Sequence, residues 1–291
     1  MTNKTFYRNF DFKAAEKLIK MAIKEDVGSG DITSELLIPK DKKSAANLLM
    51  KDPGVVAGIE IFKLVHKIVD PKTAVKTACP EGQIIRKCSR IAIIKGNSRS
   101  ILKAERLSLN IIQRMSGIAT AVYALKRRLN NNSVKIVDTR KTIPNFRLFE
   151  KLAVKIGGGD NHRFGLYDMI LIKDNHIEAN GGIANTLIKL KKVLKSRNIK
   201  VEIEVKNLDE FCIVQDLGKG IVDFVMLDNF SINEIESATN LNKKRFKLEV
   251  SGGINSKNIG ELSGIKGIDV ISVGALTHSV KSMDLSLDFI S

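Results

Sequence analysis

The hydrophobic positions follow two different patterns along the chain, and the change falls near residue 115. Before it, apolar residues at helical spacing alternate with short β-prone runs and one glycine-rich loop. We predict helices at residues 12–24 and 102–114, strands at 45–50, 55–59 and 91–95, and a loop at 25–33. This mixture is typical of an α+β region, so we expect one domain over residues 1–114 and a second over 115–279.

From residue 134 onward, short β-branched runs alternate with helical segments, the pattern of βα units around a parallel sheet. We predict seven strands, at residues 134–138, 153–156, 170–173, 201–205, 224–228, 247–251 and 270–273. The last four begin 23 residues apart, which is the room that a strand, a helix and two short loops need. Seven such units predict an α/β barrel smaller than the eight-stranded form.

The composition is that of an ordinary globular protein, with 43% hydrophobic, 27% charged and 5% aromatic residues among 291. No apolar run approaches the roughly 18 to 20 residues of a membrane-spanning helix, and the first residues lack the apolar core of a signal peptide. The three cysteines are scattered, which favours a reducing compartment. We therefore expect a cytoplasmic protein that has no membrane partner.

The net charge of +16 raises nucleic acid as a partner, because a positive field attracts any polyanion. Much of that charge lies in lysine-rich stretches such as residues 189–200, where apolar residues at helical spacing indicate a solvated outer face. The absence of Trp and the presence of only three Tyr argue against a platform for single strands. The charge suits small anionic substrates equally well, and we do not expect nucleic acid to be the partner.

In a βα barrel the reactive groups lie at the carboxyl ends of the strands. The ends of the first three predicted strands carry mainly cations: Arg140, Lys141, His162, Arg163 and Lys173. These cations need carboxylates or phosphates to neutralise them, and planar Arg groups suit bidentate carboxylate recognition. The sequence therefore predicts an anionic substrate at this half of the barrel mouth.

The remaining predicted strand ends are first acidic and then rich in glycine. Glu204 and Asp228 could accept hydrogen bonds from a sugar diol or hold Mg²⁺. Glu202 shares a strand face with Glu204, and spacing alone does not decide between them. We expect the run Ser251, Gly252 and Gly253 to open a helix that binds a phosphate, with Gly274 allowing close approach. Together the two halves predict a phosphorylated sugar beside a small polycarboxylate.

Two further motifs have structural interpretations beside the functional ones. Residues 28–31 resemble a phosphate loop, but no strand leads into them, so we interpret Asp31 as part of a turn and helix cap. His176 is equally compatible with a ligand contact and with a brace for its own loop.

Ten motifs in order resemble those of the quinolinate phosphoribosyltransferase family. They lie at residues 25–33, 51–58, 105–120, 138–142, 161–165, 171–176, 202–205, 226–230, 251–254 and 271–279. The sequence departs from the family pattern at Asn145 and Phe146, at Val250, and in a longer stretch at 209–223. None of these departures removes a candidate catalytic group.

The resemblance implies an N-terminal α/β sandwich and an incomplete seven-stranded α/β barrel of the type II phosphoribosyltransferase class, with residues 280–291 packing on the first domain. It also implies a homodimer whose active sites take residues from both subunits, with any higher assembly left open. The implied quinolinate-binding residues are Arg106, Arg140, His162, Arg163 and Lys173. The implied phosphoribosyl pyrophosphate site comprises Lys141, Glu204, Asp228, Ser251, Gly252, Gly253 and Gly274.

The resemblance further implies catalysis by Lys141, Lys173, Glu204 and Asp228, and it selects Glu204 over Glu202. Mg²⁺ is the implied cofactor, held directly or through water by Glu204 and Asp228. The implied reaction joins quinolinate to phosphoribosyl pyrophosphate and releases pyrophosphate and CO₂, giving nicotinate mononucleotide in de novo NAD biosynthesis. Two alternatives stay open: a paralogous enzyme of the molybdenum-transport-associated type, and a basic nucleic-acid-binding protein.

Overall fold

The computed structural model describes residues 3–194 and 198–290 of the chain. Their contacts divide the chain into two compact units. The first unit comprises the chain up to Tyr123, residues 142–158, and the chain from Leu276 onward, and the second comprises residues 124–141 and 159–275.

The helices are α1 (Asn3–Phe6), α2 (Phe12–Val27), α3 (Ile32–Leu37), α4 (Ile59–Val69), α5 (Ser98–Leu129), α6 (Arg147–Ile156), α7 (Asp174–Ala179), α8 (Ile183–Val193), α9 (Leu208–Leu217), α10 (Ile232–Asn242) and α11 (Ala275–His278). The strands are β1 (Lys43–Met50), β2 (Gly54–Val55), β3 (Ala74–Thr77), β4 (Ile84–Ile85), β5 (Ser89–Asn97), β6 (Lys135–Val137), β7 (Ile170–Ile172), β8 (Val201–Val205), β9 (Phe224–Asp228), β10 (Lys247–Ser251), β11 (Val270–Ser272) and β12 (Leu285–Ile290). A short 3₁₀ helix spans Ile259–Leu262.

The first unit is organised around a four-stranded antiparallel sheet in the order β12-β1-β5-β3. Alternate residues of β1 are fully buried, namely Ala46, Leu48 and Met50, as the two-residue period of a half-buried strand requires. They pack in one apolar cluster with residues of α4 and α5, including Phe62 and Ile101. The C-terminal strand β12 pairs with β1 and so belongs to this sheet.

The second unit contains a six-stranded parallel sheet in the order β6-β11-β10-β9-β8-β7. The predicted strands at 201–205, 224–228 and 247–251 have those bounds in the structure, and the one at 270–273 ends a residue earlier. The two faces differ in chemistry. In β8 one face carries Val201, Ile203 and Val205, whereas the other carries Glu202 and Glu204.

The predicted strand at residues 153–156 is wrong, because these residues belong to α6 in the first unit. Phe149, Leu152, Ala153 and Ile156 are buried at the three- and four-residue spacing of a helix face. A window of four residues shows only the β-branched run, whereas the apolar spacing over residues 149–156 is that of a helix. In the sheet, Asp160 forms a single parallel bridge to Val137 on the side of β6 away from β11. The sheet of the second unit therefore has six strands and not seven.

Three predictions in the first half of the chain also need correction. The predicted strand at 55–59 is reduced to Gly54–Val55, and Ile59 begins α4. The loop predicted at 25–33 is shorter, because α2 extends to Val27 and α3 begins at Ile32. The helix predicted at 102–114 is longer, because α5 spans Ser98–Leu129. Within the described part of the chain, no helix is both long and apolar enough to span a membrane.

Candidate active site

The second unit carries every predicted site residue except Arg106, which lies exposed on α5 in the first unit. Because β6 to β11 are parallel, their carboxyl ends meet at one edge of the sheet. Ser251 at the end of β10 is in register with Asp228 at the end of β9. The parallel order therefore gathers residues that are far apart in the sequence.

Arg140 lies close enough to Arg163 for its positive charge to act on the Arg163 guanidinium. Burial and the positive charge of Arg140 lower the pKa of Arg163 below its usual range. The Nη1 group of Arg163 donates to the carbonyl of Met169 at 3.2 Å, whereas its Nε is buried and has no hydrogen-bond partner among the described residues. Two neighbouring guanidinium groups with an unused buried donor favour the binding of an anion.

Lys173 joins the cationic half of the site to the acidic half. Its Nζ donates to Oε2 of Glu204 at 2.7 Å, and the side chain of Glu204 is only 9% exposed. His176 accepts the backbone N–H of Lys173 on Nδ1 at 2.9 Å. His176 therefore braces its own loop through Nδ1, and a ligand contact through its other ring nitrogen stays a prediction.

Asp228 is held by the residue that follows it. Asn229 has a left-handed backbone (φ 58°), which Asn tolerates better than most residues, and its Nδ2 donates to Oδ2 of Asp228 at 2.8 Å. Its backbone N–H donates to the carbonyl of Ser251 at 2.9 Å. Gly252 has a φ of 94° and lies against the Asn229 amide, where a Cβ would collide with Oδ1. Position 252 therefore requires glycine.

The expectation that Ser251, Gly252 and Gly253 open a helix is wrong. After β10 the chain bends, and the next helical residues are the short 3₁₀ helix at Ile259–Leu262. A phosphate at this position would therefore have loop N–H groups as donors and no helix N-terminus.

His162 lies in a buried cluster that the sequence analysis did not identify. Its Nε2 is 3.0 Å from Oε2 of Glu202 and 3.5 Å from Oε2 of Glu249. Its Nδ1 accepts the backbone N–H of Arg163 at 2.8 Å. Candidate ligand atoms of His162, Glu202 and Glu249 lie within 4.8 Å of one another, which is close enough to share a proton or to hold a cation.

The electrostatics of this cluster follow from its burial and its composition. Burial lowers the pKa of His162, whereas the hydrogen bonds and charges of Glu202 and Glu249 raise it. Because Nδ1 accepts a backbone N–H, the ring carries its proton on Nε2, facing the two carboxylates. Burial raises the pKa of Glu202 to about 7, and the neighbouring Glu249 acts in the same direction. One sequence signal could have revealed this cluster, namely a glutamate inside a strand whose neighbours are apolar. Glu202 in β8 and Glu249 in β10 both have this position.

Family models match nearly the whole chain. The N-terminal domain of quinolinate phosphoribosyl transferase matches residues 31–116, and the C-terminal domain matches residues 118–288. The chain is 39% identical to a chloroplastic nicotinate-nucleotide pyrophosphorylase [carboxylating] of Arabidopsis thaliana, over 96% of this chain and 82% of that one. It is also 39% identical to a probable enzyme of the same name from Bacillus subtilis, over 94% and 92% of the two chains.

A solved structure agrees with these sequence matches. The nicotinate-nucleotide pyrophosphorylase of Francisella tularensis superposes with a TM-score of 0.88 at 41% identity, and the match covers 96% of each chain. The chain belongs to the quinolinate phosphoribosyltransferase family. The activity of this family is quinolinate phosphoribosyl transfer in NAD biosynthesis, EC 2.4.2.19.

Membership of the quinolinate phosphoribosyltransferase family confirms the predicted resemblance. It also confirms the predicted fold class, an N-terminal antiparallel sheet domain followed by a barrel-like parallel α/β domain. The roles of individual residues in this quinolinate phosphoribosyltransferase site stay predictions, including those of Arg106, Lys141 and Gly274.

Proposed function

We propose that this protein transfers the phosphoribosyl group of phosphoribosyl pyrophosphate to quinolinate, with loss of CO₂, giving nicotinate mononucleotide and pyrophosphate. The observation that carries this proposal is the proximity of Arg140 to Arg163, whose buried Nε has no hydrogen-bond partner among the described residues. A planar diacid complements the positive charge of these two groups. Family membership supports the same substrate.

Quinolinate binds in the cationic half. Arg140, Arg163 and Lys173 orient its two carboxylates, and His162 belongs to this half through its contact with Arg163. Arg106 completes the site from a second subunit, which accounts for its exposure on α5 in a single chain. The chain therefore acts as a homodimer.

Phosphoribosyl pyrophosphate binds in the acidic and glycine-rich half. Ser251, Gly252, Gly253 and Gly274 approach the 5′-phosphate. Glu204 and Asp228 face the ribose and Mg²⁺, and their hydrogen bonds engage Oε2 of Glu204 and Oδ2 of Asp228. Carboxylate oxygens with substrate phosphates are the ligands that Mg²⁺ prefers, so this donor set fits the ion. When bound, Mg²⁺ supplies charge neutralisation for the pyrophosphate group.

The chemistry relies on positioning and on electrostatics. As the bond from the anomeric carbon to pyrophosphate breaks, positive charge develops on the ribose, and Glu204 and Asp228 stabilise it. Lys141 and Lys173 neutralise the leaving pyrophosphate. The quinolinate nitrogen then donates its electron pair to the anomeric carbon. The resulting cationic ring loses its 2-carboxylate as CO₂, and the electron pair left on that ring carbon takes up a proton.

Substrate choice tests the proposal. We expect quinolinate to be strongly preferred to nicotinate, because the monoacid leaves a cationic group of the site unpaired. The assay measures pyrophosphate and nicotinate mononucleotide formation by the purified protein with Mg²⁺. Equal kcat/KM values for the two acids would contradict the proposal. Generic duplex binding with a steep salt dependence and no quinolinate turnover would instead favour the nucleic-acid-binding alternative.

The shared site is tested by mixing two inactive homodimers, Arg106→Ala and Lys141→Ala. If Arg106 acts on the neighbouring subunit, each mixed dimer has one intact site and one doubly defective site. Random reassociation should then restore about a quarter of the wild-type activity. Differently tagged chains confirm that subunits exchange. Exchange without recovered activity would mean that Arg106 serves its own subunit or only supports the fold. Cytoplasmic location belongs to the same proposal and is checked by cell fractionation.

A further inference from the structure

Glu202 and Glu249 are buried in the middle of two strands with little to compensate their charge. They are 0% and 2% exposed, and their ion pairs among the described residues are both with His162. One oxygen of each carboxylate, Oε1, is buried and has no hydrogen-bond partner in the described part of the chain. Burying two carboxylates in this way is costly, and apolar side chains would fill the same space without that cost. The fold alone therefore gives no reason for these two residues.

His162 is held at both of its ring nitrogens. Because Nδ1 accepts the N–H of Arg163, the ring proton lies on Nε2, which faces Glu202 and Glu249. The ring therefore has no N–H left for a substrate while these contacts persist. What His162 does for the substrate passes through Arg163.

The backbone before Arg163 is fixed as well. Buried Asp138 accepts the backbone N–H of His162 at 3.0 Å and the Nδ2 of Asn161 at 2.6 Å. Together with the hydrogen bond from the Arg163 N–H to the His162 ring, these contacts hold the backbone of residues 161–163 in place. A binding group is effective only when its own support is held in this way.

We propose that Glu202 and Glu249 are positioning residues for the diacid site, acting through the His162 ring on the backbone of Arg163. This inference rests on the proposed function, since the diacid is quinolinate. It assigns a role to two residues outside the substrate-contacting set. It also predicts that their loss weakens diacid binding and leaves phosphoribosyl pyrophosphate binding intact.

The test replaces both carboxylates by apolar groups, in the double variant Glu202→Leu with Glu249→Leu. We expect the KM for quinolinate to rise about tenfold or more, as for outer residues that orient a ligand-binding histidine. We expect kcat and the KM for phosphoribosyl pyrophosphate to stay within about twofold. Calorimetry on the free enzyme should show the same loss of quinolinate affinity, and a cooperative unfolding transition shows that the variant is folded.

Conservative variants separate positioning from charge. In Glu202→Gln and Glu249→Gln an amide oxygen can still accept the Nε2–H of His162, so quinolinate binding should be largely retained. Asp223→Asn and Asp269→Asn are matched controls. Their carboxylates bind the backbone N–H of Val201 and Leu248, near the starts of the same two strands. Both controls should leave the KM for quinolinate within about twofold of the wild type.

The outcomes distinguish the two proposals. A wild-type protein that does not use quinolinate would overturn the proposed function itself. An active wild type whose folded double variant keeps its quinolinate KM would overturn only the positioning role. Loss of kcat at unchanged KM would also overturn it, because a direct catalytic role predicts that result. If the double variant does not fold, the single Glu249→Leu variant provides the same comparison.

Discussion

Both units bury carboxylates, but they satisfy them differently. In the first unit, Glu81 accepts the backbone N–H groups of Gly58 and Ile59 where α4 begins. Glu150 is fully buried and accepts the Nε of Arg114 at 2.6 Å. In the second unit, Glu202 and Glu249 share one histidine, and one oxygen of each finds no hydrogen-bond partner among residues 3–194 and 198–290.

This difference separates structural buried charges from functional ones. Backbone donors and a guanidinium satisfy the carboxylates of the first unit, so those carboxylates hold a helix start and a loop in place. Glu202 and Glu249 of the second unit are under-satisfied, which is expected where a fold retains charge for a ligand site. Removing a partner in the first unit should therefore cost stability, whereas removing the carboxylates of the second unit should cost quinolinate binding.

The largest expected effect is on stability, in Arg114→Ala. Glu150 would be left as a buried charge that lacks its main partner, which should lower the free energy of unfolding by about 3–5 kcal/mol. Urea denaturation measures the change. The matched control is Lys20→Ala, which removes the exposed Lys20–Glu16 pair on α2 and should leave the free energy of unfolding almost unchanged, because solvent screens that pair. Equal losses in the two variants would remove the distinction between the units.

A smaller effect concerns pH. Burial raises the pKa of Glu81 from 4.5 to about 7. The unfolded state therefore releases its proton first as pH rises, and the free energy of unfolding should fall between about pH 4.5 and 7, by up to roughly 3 kcal/mol. Glu81→Gln should flatten this fall in pH-dependent denaturation.

Glu202 contributes to the same pH window with the same sign, because burial also raises its pKa to about 7. Glu202→Gln should remove that second part of the fall in stability. A wild-type profile that rises between pH 5 and 7 would show that both glutamates are fully ionised in the fold.

The smallest expected effect concerns an exposed carboxylate of the first unit. Asp31 caps α3 by accepting the backbone N–H of Ser34 at 3.0 Å, as the sequence predicted. Asp31→Ala should lower the free energy of unfolding by about 1 kcal/mol, and Asp31→Asn should retain most of it because the amide oxygen also caps. A loss comparable to that of Arg114→Ala would show that exposure does not limit the contribution of these carboxylates.

The sequence by itself determined the family and the regular part of the second unit. The runs at 201–205, 224–228 and 247–251 have their predicted bounds because strand and turn signals are local and recur at one spacing. The family motifs are also contiguous in the sequence, so they could be recognised without a structure. Asp31 was identified as a cap for the same reason, since a capping residue and the N–H that it accepts lie three positions apart.

Only the tertiary structure decided the places where distant segments meet. Residues 153–156 became helical because their apolar neighbours form one buried helix face, and Asp160 formed the bridge beside β6 instead. His162 forms a hydrogen bond with Glu202, which lies 40 residues further along the sequence. The parallel order of the sheet brings Glu249 to the same ring. No local pattern encodes such a meeting, because it depends on which strands become neighbours and on which face each side chain points.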